Sequence, residues 1–179
     1  MKKVAILLTL IALAVSGCST MTPARYSISA DTNQVLRQYK GQKAVLVSVI
    51  SPQNFDANCR LMGPIKAADG LTIPEFVKKA FNDELKFAEI YNESDGTKIT
   101  GTINHLVFSS SSGLTNGWWD IGLTLQSANG KSISVSNHYA FPSGFDAITA
   151  CNQTAQALGA AVQDLIKKAV SDQGFKELL

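Results

Sequence analysis

The stretch Trp118–Phe141, WWDIGLTLQSANGKSISVSNHYAF, decides the fold. Apolar residues sit at odd positions on both sides of Ala128-Asn129-Gly130. They are Trp119, Ile121, Leu123 and Leu125 before it, and Ile133, Val135, Tyr139 and Phe141 after it. Alternation with a period of two marks strands with one buried face, so strands are predicted over 118–127 and 131–141. A two-residue Asn129-Gly130 turn would pair Leu125 with Ser134 and put the two apolar sets on opposite faces. A three-residue loop pairs Leu125 with Ile133 and Leu123 with Val135, which keeps them together. A type I turn closed by a left-handed Gly130 is therefore expected. Trp119 then lies opposite Tyr139, a favourable aromatic pair. On the other face Asp120 meets His138. That pair reads as a cross-strand ion pair and not a catalytic dyad, because no serine or cysteine nucleophile is implied beside it.

Working outward, Lys98–Phe108 is predicted as the neighbouring strand. Ile99, Ile103 and Val107 would face the core, with Gly101 leaving room for another backbone. His105 shares their parity and reads as a core histidine. The reverse face carries Thr100, Thr102, Thr124, Ser132, Ser134 and Ser136 and should be wet. Leu106, Phe108 and Trp118 also have outward parity near one end of the sheet. They form a candidate contact patch unless a loop or the N-terminal segment covers them. Ser109–Gly117 is expected to be a flexible connection.

Lys43–Ile50 (KAVLVSVI) is β-branched and almost continuously apolar, as in an interior strand covered on more than one side. Thr72-Ile73-Pro74-Glu75 is a helix start with a capping box and an early proline. Ile73, Phe76, Val77, Ala80, Phe81 and Leu85 follow on one helical face, with Lys78, Lys79, Asn82 and Asp83 on the other. Phe87–Tyr91 either finishes the helix or leads into an extended segment, and Ser94-Asp95-Gly96 turns the chain. A second helix is predicted over 147–173, capped by Asp146, with its stripe at Ile148, Cys151, Ala155, Leu158, Val162, Leu165, Ile166 and Ala169. Gly159-Ala160-Ala161 would allow close packing, and Gly174 is the expected left-handed stop. Tyr26, Ile28 and Ala30 alternate like a short edge strand. Residues 31–42 stay open between helical turn and loop. The order β-α-β-β-β-α implies an α+β fold: a two-layer sandwich, mostly antiparallel, with two helices on one face of the sheet.

Residues 52–70 form a long irregular stretch, and loops of that length are commonly functional or disordered. Phe55, Arg60, Leu61 and Met62 give it the residue types that interfaces favour. It reads either as a candidate partner contact or as a surface loop without one.

The chain opens with Lys2 and Lys3, an apolar run from Val4 to Val15, and Val15-Ser16-Gly17-Cys18. The run is too short to span a bilayer and has the form of a secretory leader. Its end resembles the lipobox of bacterial lipoproteins, cut before a cysteine that receives acyl chains. The resemblance implies a signal peptide at 1–17, lipidated Cys18 with a tether over 18–25, and one periplasmic domain over 26–179. Ser19, in place of an aspartate, implies delivery to the outer membrane. The membrane is then a partner through the lipid. Losing Lys2 and Lys3 leaves 14 basic against 14 acidic side chains. No basic stripe remains, so nucleic acid is not an expected partner. With Cys18 acylated, Cys59 and Cys151 are an even pair in an oxidising compartment. A disulfide is expected, two free buried thiols being the alternative.

The two cysteines and two histidines lack the ligand spacing of a zinc site, so no metal or cofactor is expected. No P-loop, dinucleotide-binding or G-x-S-x-G motif is present, and an enzyme is not expected. The anchored sandwich resembles the small periplasmic lipoproteins grouped around LptE and YajG and the auxiliary lipoproteins of envelope transport systems. That likeness implies a non-enzymatic accessory subunit docking on another envelope protein. The alternative is an inhibitor or immunity-type lipoprotein that binds a hydrolase or toxin.

Overall fold

The computed structural model describes residues 21–52 and 54–179. The proposed leader and Cys18 lie outside them. Four strands form one sheet in the order β1-β2-β3-β4. They are β1 (Ala44–Ile50), β2 (Thr97–Ser112), β3 (Asn116–Ser127) and β4 (Ser132–Pro142). The helices are α1 (Ala30–Leu36), α2 (Ile73–Phe87), α3 (Ala147–Ser171) and the single turn α4 (Phe175–Leu178). α2 crosses over between β1 and β2, which are parallel, and the other pairs are antiparallel. α2 packs on β1 and α3 on β2, β3 and β4, while α1 touches both long helices. The fold is an α+β two-layer sandwich, with α1 and α4 added to the order read from sequence.

The hairpin forms in the expected register. Leu125 pairs with Ile133, Leu123 with Val135 and Trp119 with Tyr139. Gly130 is left-handed at φ 87°. The buried Trp119 indole donates to the Thr154 carbonyl at 3.0 Å, tying β3 to α3 without leaving a polar atom stranded. Asn137, on the core face, donates to the Ala161 carbonyl at 2.8 Å.

β2 departs from the expected alternation. Ile99, Gly101 and Ile103 face the core, but the register with β3 slips between Ile103 and His105. Asn104 is the extra residue, and its amide donates to Thr124 Oγ1 at 2.9 Å. A one-residue bulge moves every later side chain to the opposite face. His105 and Val107 are therefore exposed, contrary to the expected core positions. Leu106 is buried and Phe108 stacks on Trp119 at a centroid distance of 4.9 Å. The patch of Leu106, Phe108 and Trp118 does not exist as a surface. Trp118 alone stays on the outer face, its ring 5.6 Å from His138. The bulge needs Gly122 opposite it, since a Cβ there would meet Asn104 Oδ1 at 2.3 Å. β2 also continues to Ser112, so 109–117 is a tight hairpin turning at Gly113-Leu114-Thr115.

β1 is an edge strand, not an interior one. Ala44, Val45 and Leu46 are buried while Val47 and Ile50 are exposed. Its first half is still paired on the outer side. Ala44 N–H donates to the Ile90 carbonyl and Ala44 C=O accepts from Asn92 N–H. Leu46 N–H donates to Asn82 Oδ1 and Leu46 C=O accepts from Asn82 Nδ2, both at 2.9 Å. One side-chain amide of α2 thus replaces a neighbouring strand, satisfying two backbone groups that burial would otherwise penalise. Asn82 is accordingly buried, not on the solvent face of α2.

The capping box holds as read, with Thr72 N–H donating to Glu75 Oε2 at 2.8 Å. Residues 26–30 form no strand; Ser29 caps α1 instead, accepting from Thr32 N–H. Residues 21–25 are not a free tether. Thr22 N–H donates to Asn152 Oδ1 at 3.0 Å, Arg25 pairs with Asp69 at 2.9 Å, and Gly159 faces the Ala24 and Arg25 carbonyls. Residues 21–29 are a strap laid over α3 and α2. Asp146 caps α3 as expected, accepting from Thr149 N–H at 2.9 Å. Ile148 is exposed and not part of the stripe. α3 stops at Ser171, and Gly174 has φ −79°, so it is no left-handed cap. Its small size serves close packing, because a Cβ would come within 2.9 Å of Ile133 Cγ2.

Candidate functional site

β1 ends at Ile50, level with Thr102, while β2 runs on to Ser112, where the β2–β3 turn closes. The long loop is built onto this end. Cys59 and Cys151 are joined by a disulfide, as expected. Residues 57–65 form a small finger, with Asn58 bridging Pro64 in antiparallel sense and Ile65 N–H donating to the Ala57 carbonyl at 2.8 Å. The tip turns through Arg60, at φ 51°, and Gly63, at φ 86°. A left-handed non-glycine costs of order 1 kcal/mol and persists only where its surroundings impose it. Here the disulfide at Cys59 and the guanidinium of Arg60 do so. Arg60 Nε donates to Ser110 Oγ at 3.1 Å and Nη1 to the Phe145 carbonyl at 3.0 Å.

The same bonds gather three segments. Ser143 Oγ donates to the Ser110 carbonyl at 2.6 Å, and Ser143 N–H to the Thr115 carbonyl at 2.7 Å. The finger, the β2–β3 turn and the approach to α3 thus meet. Each presents a large apolar side chain to solvent: Leu61 is 101% exposed, Leu114 69%, Phe145 76% and Ile148 54%. The Asp146 carboxyl among them is held below the usual carboxylate range by the backbone and side chain of Thr149.

Of the candidate contacts, Arg60, Leu61 and Met62 share the finger, with Leu61 outward and Met62 half-buried against the core. Phe55 is half-buried, its ring 6.3 Å from Phe108. Beside it, Ile65, Leu71, Ile73 and Pro74 line an apolar groove of about 530 Å³ at the foot of α2. Leu106, largely buried, and Phe108 line a cleft of about 410 Å³ with Cys59 and Arg60, whereas Trp118 lies on the other sheet face. Leu114, Phe145 and Ile148 were missed. The signal for Phe145 was an apolar residue directly before a helix cap, where it either staples the helix or protrudes.

His138 Nδ1 and Asp120 Oδ1 meet across the hairpin at 2.5 Å, the cross-strand pairing expected. Among the described residues no group of three His, Cys, Asp or Glu could hold a metal, and no described helix is long and apolar enough to cross a membrane.

No family model and no curated protein matches this chain. Among solved structures the chain is similar to protein XCC0632 from Xanthomonas campestris, of family DUF330. The likeness has a TM-score of 0.48 at 10% identity over 72% of this chain and 84% of that one.

Proposed function

We propose that this chain is an outer-membrane lipoprotein facing the periplasm, anchored through Cys18, and a non-enzymatic accessory subunit of an envelope transport or assembly system. The observation that carries the reading is the Cys59–Cys151 bond. It uses both cysteines of the body, suits an oxidising compartment, and leaves Cys18, in its lipobox, as the thiol for acylation. The groove of Phe55, Ile65, Leu71, Ile73 and Pro74, which Ser51 also lines, offers a partner protein an apolar socket next to the exposed end of β1 at Ile50. Mass spectrometry of the membrane-extracted chain tests the anchor: the mature form should begin at Cys18 and carry fatty acid. An intact leader or a bare N-terminus overturns it. Photo-cross-linkers at Phe55 and at Trp118 test the accessory role. A membrane assembly captured from position 55 but not from 118 supports it, and the reverse moves the contact to the sheet face.

A second reading, an inhibitor or immunity-type lipoprotein, draws on the finger. A fully exposed leucine on a disulfide-held turn suits insertion into a partner's cleft. Capture of a hydrolase or toxin from position 61 would favour that role.

A further inference from the structure

We infer that the finger end of the domain rests on the bilayer itself, with Leu61, Leu114, Phe145 and Ile148 entering its interfacial layer. This rests on the anchoring proposed above and adds an orientation to it.

The first argument is where the chain leaves the body. The strap is fixed beside the start of α3, where Thr22 N–H is bonded to Asn152 Oδ1 and Asn152 Nδ2 donates to the Ile148 carbonyl. Cys18 precedes Met21 by three residues, a reach of at most about 11 Å. The strap does not swing free. Arg25 pairs with Asp69, Tyr26 and Ser29 bond Glu84, and Gln163 donates to the Ser27 carbonyl at 2.8 Å. An acyl chain on Cys18 therefore enters the membrane next to this end and not next to the other.

The second argument is the surface that meets it. Four apolar side chains from three separate segments stand outward at this one end, held in place by the Arg60 and Ser143 bonds. A cluster of this kind on a water-soluble body marks a contact. The charges among them are already engaged: Arg60 with Ser110 and Phe145, Asp146 with Thr149. Desolvation there costs less than it would for free ions. The acyl chains supply the attachment; the four side chains set the tilt, as apolar groups do at the acyl boundary.

The test uses the full acylated protein in phosphatidylethanolamine–phosphatidylglycerol vesicles containing doxyl-labelled lipid. Tryptophan replaces Leu61 or Phe145, and, as a control, Phe87, which is 55% exposed at the far end of α2. All three side chains are solvent-facing, so the core is untouched. Trp118 and Trp119 give a common background. Emission added at 61 and 145 should be quenched roughly twofold or more beyond that at 87, as for side chains at the acyl boundary. Equal quenching at all three in protein whose mass includes its fatty acid overturns this orientation and leaves the anchor standing. Protein that proves to lack fatty acid overturns both. A polypeptide, not lipid, cross-linked at position 61 in intact envelopes also overturns it and gives this end to a protein partner.

Discussion

The two ends of the sheet are closed in opposite ways. At the end formed by residues 87–97, 127–131 and 172–179, the large apolar side chains turn inward apart from Phe87. Phe175 and Leu178 are fully buried, Phe175 lying against Phe81 and Tyr39. Polar groups make the outer seam: Thr97 Oγ1 donates to the Leu179 carbonyl and Asn129 Nδ2 to the Glu177 carbonyl, both at 2.8 Å. At the finger end the seam is covalent and charge-assisted, and the large apolar side chains turn outward. The first end follows from what a small domain needs in order to fold. The second departs from it, and a departure held in place by a crosslink and by the hydrogen bonds of Arg60 points to use.

Breaking the covalent seam should give the largest effect. The bond spans a sequence separation of 92 residues. Replacing Cys59 and Cys151 by serine should lower unfolding free energy by about 4 kcal/mol in the chain-entropy model. Urea denaturation measures it. A loss below about 1 kcal/mol would mean that the Arg60 bonds hold the finger by themselves and that the crosslink adds little.

A leucine at each end sharpens the contrast. Leu178→Ala deletes a fully buried side chain and should cost about 3 kcal/mol. Leu61→Ala removes the same atoms from solvent and should change stability by less than about 0.5 kcal/mol. Thermal unfolding of both variants under identical conditions decides it. Comparable losses would place Leu61 in a packed environment and remove the case for a contact surface.

What the sequence disclosed follows the same division. The hairpin register was legible because a period of two rejects the two-residue loop and accepts the three-residue one, and both strands kept it. The capping box and the disulfide were legible because each depends on few residues. The bulge at Asn104 was not, because parity is counted along an unbroken strand and one inserted residue inverts everything after it. His105, Leu106, Val107 and Phe108 were all misplaced for that one reason. Gly122 was its trace, but a glycine in a strand has several meanings until its partner strand is known. The burial of Asn82 and Glu84 was hidden likewise, since both act on segments far from them in sequence. The apolar tips escaped notice because three loops meet only after the sheet has formed.

The strap that joins the two ends offers the smallest and most specific test. Glu84 is buried on α2, and its Oε1 accepts from Tyr26 O–H at 2.7 Å and from Ser29 N–H at 2.8 Å. Its Oε2 is buried with no hydrogen-bond partner. Burial raises the Glu84 carboxyl above its ordinary range, and neighbouring Asp83 adds to this, while the two hydrogen bonds pull the other way. Burial likewise raises the Tyr26 phenol, with Glu84 adding to it. A raised folded-state carboxyl binds its proton more tightly in the native protein than in the unfolded chain. Its contribution to stability is complete below the ordinary carboxylate range and is lost as pH rises through the raised value. Glu84→Gln keeps the acceptor for both donors and removes the titration. The stability of the natural chain relative to this variant should therefore fall as pH rises above the ordinary carboxylate range, by no more than about 1–2 kcal/mol, the scale of one altered buried hydrogen-bonding group. Asp31, Glu75 and Asp146 are lowered in both proteins, so their opposite slopes cancel in the difference. A difference that rose with pH would make the charged carboxylate the stabilising form. The strap would then be fastened by a charge and not despite one, and it would loosen, not tighten, as pH fell.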